Sequence, residues 1–259
     1  MHCDSRLRTL TTALFLAAAT TACQSKALPE KVADTVEPAA PAPAPTPAPL
    51  TPYQKTQIQR SAMDLIRMQL IDDRCHWLDK TSRAAIDATA AERQAALDEF
   101  GPEWAVPAKD TASNTALAGT TDCNSADSAH SIRYGAWQMR VTWVLRAHAL
   151  LDGAAHPAWV AKQSPTLPYR PALDETWSAI NEKYGDSVEI AGPGIQAEAI
   201  QMLALTCPNA PHECPVEPAG RAQNHGKAYA QVWVDQATKF AEALAQDPIK
   251  LPPPPQPSA

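Results

Sequence analysis

The sequence predicts an all-α fold: an irregular bundle of about five to seven helices, stapled by disulfides and flanked by disordered proline-rich tails. Three observations lead there. Between residues 53 and 248 apolar side chains recur at three- and four-residue spacing almost throughout, the period of amphipathic helices. Only Ser187 to Ala191 reads as a possible strand. The 25 prolines gather at the two ends and in two loops, which leaves the periodic stretches free to be helical.

The chain divides into residues 1–22, a cleavable export signal; 23–52, a linker; 53–248, the helical domain; and 249–259, a proline-rich tail. The signal is built from Arg6 and Arg8, an apolar core starting at Leu10, and small residues ending in Ala22-Cys23. Its apolar run of about 13 residues is shorter than the roughly 20 a spanning helix needs. These residues resemble the signal and lipobox of bacterial lipoprotein precursors, with Thr20 standing where leucine is usual. The resemblance covers the signal alone. It implies cleavage before Cys23, acylation of that cysteine, and stable anchoring, because two or more acyl chains hold where one does not. Gln24, rather than aspartate, after the cysteine resembles the pattern that sorts lipoproteins to the outer membrane, facing the periplasm. Ala17-Ala18-Ala19 and Thr20-Thr21-Ala22 would also serve an ordinary signal peptidase. Parity of the cysteines supports acylation: with Cys3 removed and Cys23 modified, an even set of Cys75, Cys123, Cys207 and Cys214 remains.

From Ala27 to Pro52 the chain alternates proline and alanine, has little apolar bulk to bury, and favours extended polyproline II. At roughly 3.1 Å per residue it would hold the domain up to about 75 Å from its anchor. Thr51-Pro52 is a cap-plus-N1 start for a helix over about 53–77, with Ile58, Ala62, Leu65, Ile66 and Ile71 as its stripe. Thr89-x-x-Glu92 reads as a capping box that opens a second helix, which Gly101-Pro102 stops. Glu103 to Asp122 reads as a long loop pinned by Trp104. The strongest helix spans about 125–151, with Ala129, Ile132, Ala136, Met139, Trp143 and Leu150 on one face. After a turn around Ala158 to Lys162, Leu173, Trp177, Ile180 and Tyr184 mark a helix closed by Gly185. Gly192-Pro193-Gly194 then precedes a short helix over 195–205, and a last one over about 222–245 buries Tyr229, Val232, Trp233, Phe240 and Leu244. Arg133-x-x-Ala136-x-x-Met139 can be laid over Lys227-x-x-Ala230-x-x-Trp233, but this is too thin a match to establish a duplication.

Charge excludes some functions. Removing residues 1–22 takes Arg6, Arg8 and Asp4 from totals of 22 basic and 28 acidic side chains, leaving 20 and 27, a net −7. A mildly acidic chain without a basic cluster argues against nucleic acid and against electrostatic membrane binding.

Few residues offer chemistry. Cys207 and Cys214 are expected to close a local disulfide worth about 2.5 kcal/mol, and a Cys75–Cys123 bridge around a loop of roughly 49 residues about 4 kcal/mol. Four cysteines allow three pairings, and the sequence does not decide among them. Cys207, His212 and Cys214 are spaced too widely for a zinc knuckle and lack a second ligand pair. Asp72 and His76 lie four apart on one helical face, the arrangement of a half metal site or an oriented imidazole, but a solvated helix end with His76 at the dipole's negative pole explains them as well. Arg133, Trp137 and Arg140 share a face of the longest helix; two guanidiniums beside an indole can grip an anion, or can pair with acids of a neighbouring helix. Nucleophile elbows, Walker loops and Rossmann glycines are absent, and no catalytic residue, metal or cofactor is implied.

The expectation is thus an outer-membrane lipoprotein whose helical domain binds an envelope partner. An inhibitor or immunity-type protein against a wall-degrading enzyme, inserting the Cys207–Cys214 loop, is the alternative. A periplasmic enzyme would require a deep cleft gathering Asp72, His76 and arginines.

Overall fold

In a computed structural model the described residues are 50–152, 169–206 and 225–247. The expected signal with Cys23, the expected linker up to residue 49, the expected turn at 158–162, Cys207, His212, Cys214 and residues 249–259 lie outside them. Six α-helices and a short 3-10 turn make up the described fold: α1 Pro52–Cys75, α2 Lys80–Phe100, the turn Pro102–Trp104, α3 Ala108–Thr120, α4 Ala126–Asp152, α5 Arg170–Thr206 and α6 Lys227–Gln246. No strand occurs among the described residues. The fold is all-α and a bundle, as the periodicity requires.

Local chemistry explains where the helices begin and end. Thr51 and Gln54 form a reciprocal capping box with Pro52 at N1, so α1 starts where its sequence directs. It ends at His76, whose left-handed φ of 52° turns the chain while its N–H bonds the Asp72 carbonyl. Asp79 caps α2 by accepting from the Ser82 N–H at 2.6 Å. Gly101, at φ 110°, stops α2 in a conformation that a Cβ would strain.

Five expectations are corrected. Thr89 and Glu92 do not open α2: they sit in its middle, because the spacing of a capping box is also the spacing of two neighbours on one helical face. The stretch expected as a loop contains α3, whose buried side chain is Ala118 alone and whose sequence therefore has no apolar stripe to read. Its attachment is polar: Arg74 Nη1 donates at 2.6 Å to the carbonyls of both Ala118 and Thr121, and Asn114 donates to the Met63 carbonyl at 3.0 Å. Ser187 to Ala191 is helical, and Gly192-Pro193-Gly194 does not end the helix; α5 runs through Pro193 and kinks instead at Tyr184, φ −129° and ψ 31°. The last helix begins at Lys227, later than about 222.

The main core lies between α2, α4, α5 and α6, around the fully buried Trp143, Trp233, Phe240, Leu150 and Leu173. Smaller clusters seat α1 through Leu65 against Ile86 and Ala136, and through Ile71 against Ala118 and Ile132. A disulfide joins Cys75 at the end of α1 to Cys123 just before α4, with Cα atoms 5.2 Å apart. The Trp77 indole donates to the Cys123 carbonyl at 3.1 Å, so bridge and hydrogen bond fix the α1–α2 turn beside the start of α4.

Candidate functional site

That turn forms one wall of a cleft of about 460 Å³. Trp77, Leu78 and Asp79 come from the turn, and Ser82 from the first turn of α2. The opposite wall is the N-terminal half of α4, with His130, Arg133, Trp137 and Arg140. The three residues singled out by their helical spacing therefore do meet in one cavity. Their spacing of four and three places them on one face of α4, and the capped turn of α1 and α2 closes over it.

Each of the three has a defined state. Arg133 is exposed; its Nε donates to the Trp77 carbonyl at 3.0 Å, and no acid among the described residues pairs with it. Arg140 is 3% exposed, and its Nη1 donates to Ser82 Oγ at 3.0 Å and to Asp79 Oδ2 at 3.3 Å. Its Nε and Nη2 are buried without an acceptor, as is the Trp137 indole N–H. Burial pulls the Arg140 guanidinium below its ordinary pKa, against the opposing charges of Asp79 and Asp247. Trp137 packs against Tyr134, stacked at 6.3 Å, and against Tyr184, edge-on at 5.8 Å, so its plane is fixed by rings from α4 and α5. The expected pairing of arginines with acids thus holds for Arg140, through Asp79, and not for Arg133.

Asp72 and His76 do not line the cleft. Asp72 is buried rather than solvated: one oxygen accepts from the Leu78 N–H at 2.9 Å and the other from Arg83 at 3.3 Å. Arg83 also reaches Asp73 and Asp87. His76 is exposed and serves as the helix cap. Four residues apart on one face, the two still do not converge, because His76 has already left the helix. No group of three metal-ligating side chains gathers among the described residues. The second expected disulfide, Cys207–Cys214, falls outside them.

Sequence reasoning missed Trp77, Asp79 and Ser82, although Asp79-x-x-Ser82 carries the signature of a helix cap. It also missed a buried polar cluster in the main core. Arg146 of α4 grips Glu92 through two bonds of 2.9 and 3.2 Å and Glu198 at 2.9 Å, and lies over the rings of Trp143 and Trp233. The Tyr229 hydroxyl donates to Glu92 at 2.7 Å. Tyr229 is stacked on His225, which bonds Glu99 at 3.0 Å. The two glutamates take the terminal nitrogens of Arg146, whose Nε is left buried without an acceptor, and the cluster reads as an internal brace of the bundle.

No protein-family model, curated protein or solved structure matches the chain. Among the described residues no helix is long and apolar enough to cross a membrane.

Proposed function

We propose that the protein is a lipid-anchored, periplasm-facing binding module of the bacterial cell envelope, held to the outer membrane through Cys23. The observation that carries binding is the cleft that collects Arg133, Trp137 and Arg140 opposite Trp77. A cavity of a few hundred Å³, mostly apolar with a few convergent polar groups, is the usual form of a ligand site. The anchoring half rests on the basic start, short apolar core and Ala22-Cys23 junction. The proline- and alanine-rich linker would then carry the domain away from the lipid surface towards an envelope partner.

The test is labelling with radioactive palmitate followed by fractionation of the envelope, comparing the full chain with Cys23→Ala. Label and outer-membrane association should both disappear in the variant. Label retained by Cys23→Ala would overturn the anchor. Crosslinking the wild-type chain in intact envelopes, with capture in detergent, then asks whether a stoichiometric envelope partner accompanies the domain.

A further inference from the structure

Resting on that reading of the domain as a binding module, we infer that the cleft takes a small organic anion, a carboxylate or phosphate head on a planar or apolar body. Charge sets the head group. Two guanidiniums and one carboxylate, Asp79, line the cavity, an excess of one positive charge among these three groups. Among the described residues Arg133 bonds only through its Nε, to the Trp77 carbonyl, which leaves its two terminal nitrogens as donors at the rim. Arg140 is held at one nitrogen and has N–H groups on two others with no acceptor, in a residue 3% exposed. Those two nitrogens are shut off from solvent and lend the cavity charge rather than contacts, while the exposed donors of Arg133 favour an anion over a neutral ligand, because charge-assisted hydrogen bonds are about twice as strong as neutral ones.

The remaining wall sets the body. Trp77, Leu78 and Ala129 offer apolar surface, with Trp137 held rigid by its two ring neighbours. A ring or short hydrocarbon attached to the anion would cover them. Bare inorganic ions would use the arginines and leave the indoles wet, so they should bind more weakly than the same charge on a ring.

The probes are benzoate and phenyl phosphate, with benzamide as the uncharged isostere and inorganic phosphate as the bare ion. Binding to the full chain in detergent is followed by calorimetry and tryptophan fluorescence. At least one of the two aryl anions should bind, about tenfold or more tighter than benzamide and tighter than inorganic phosphate. Preference for benzoate would assign a carboxylate ligand, and preference for phenyl phosphate a phosphate monoester. Arg133→Gln, at an exposed position that should leave the fold intact, is expected to weaken the preferred anion about tenfold and leave benzamide unchanged. Equal affinity for benzamide and both anions, or an Arg133→Gln chain that binds as well as wild type, would overturn the inference. Failure here with palmitate labelling intact would remove the anion site and leave the envelope anchor standing.

Discussion

Arg146 and Glu92 come from different helices and meet through two hydrogen bonds at 2.9 and 3.2 Å, with the Glu92 side chain only 2% exposed. Around this pair α2, α4, α5 and α6 are tied together: Glu198 also accepts from Arg146, Tyr229 donates to Glu92, and the cation lies over the adjoining rings of Trp143 and Trp233. Four helices of an irregular bundle thus share one register point. Such a brace beneath α4 also keeps the N-terminal half of that helix, with Arg133, Trp137 and Arg140, in a fixed position over the α1–α2 turn.

Removing one side of this pair should be costly. Arg146→Met keeps the length of the chain but leaves Glu92 charged and buried, with only Arg93, 3.8 Å away, as a cation. A loss of about 3–5 kcal/mol is expected, and the double variant Glu92→Leu/Arg146→Met should recover much of it. Urea denaturation of the three proteins measures both. A single variant within about 1 kcal/mol of wild type would contradict a buried, dependent pair.

The same pair makes stability depend on acid. Burial alone would raise the Glu92 pKa, but the charges of Arg146 and Arg93 and the bonds from Arg146 and Tyr229 outweigh it and lower the pKa from 4.5 to about 2. A carboxyl whose folded pKa lies below its unfolded one contributes stability in full above the unfolded value, and that stability drains away as pH falls towards the folded value. The wild type should therefore lose stability faster than Glu92→Gln between about pH 5 and 2.5. Parallel curves of unfolding free energy against pH would show that Glu92 does not carry the effect.

Much of the bundle was legible because its helices bury apolar stripes. Trp143, Leu173, Ile180, Trp233 and Phe240 are all buried at the positions their periodicity assigns. The illegible parts are those in which polar groups replace that signal. α3 is held by Arg74 and Asn114 reaching backbone carbonyls, contacts that leave no pattern in its own sequence. Glu92 was misread because a glutamate three residues after a threonine looks alike at a helix start and inside a core, where Thr89 accepts from the Trp143 indole at 2.9 Å. On the cleft, the α4 face could be read from spacing, whereas its opposite wall depends on where the α1–α2 turn lands. Only tertiary structure supplies that.

The disulfide should stabilise both the fold and the cleft. Cys75→Ser/Cys123→Ser opens a cross-link between residues 48 apart, which chain entropy values at about 4 kcal/mol. Because Trp77 donates to the Cys123 carbonyl and Arg133 to the Trp77 carbonyl, the cleft wall should loosen as well. Amide exchange at Trp77 to Asp79 should accelerate more than exchange at the α6 core around Trp233 and Phe240. Uniform acceleration would mean that the bridge acts only on global stability.

His76 offers a gain rather than a loss. It is the one described residue other than glycine with positive φ, at 52°, where a β-carbon crowds the backbone at a cost of about 1–2 kcal/mol. Its side chain is exposed and bonds to nothing that the cleft uses, while its N–H caps α1 through the Asp72 carbonyl at 2.8 Å. Glycine keeps that N–H and adopts the left-handed cap freely, although it gives back some stability by loosening the unfolded chain. His76→Gly should therefore raise stability by about 0.5–1 kcal/mol in urea denaturation, with His76→Ala below both it and the wild type. A destabilised His76→Gly would mean that the imidazole makes a contribution beyond the cap, and would return the Asp72–His76 face to consideration as a site.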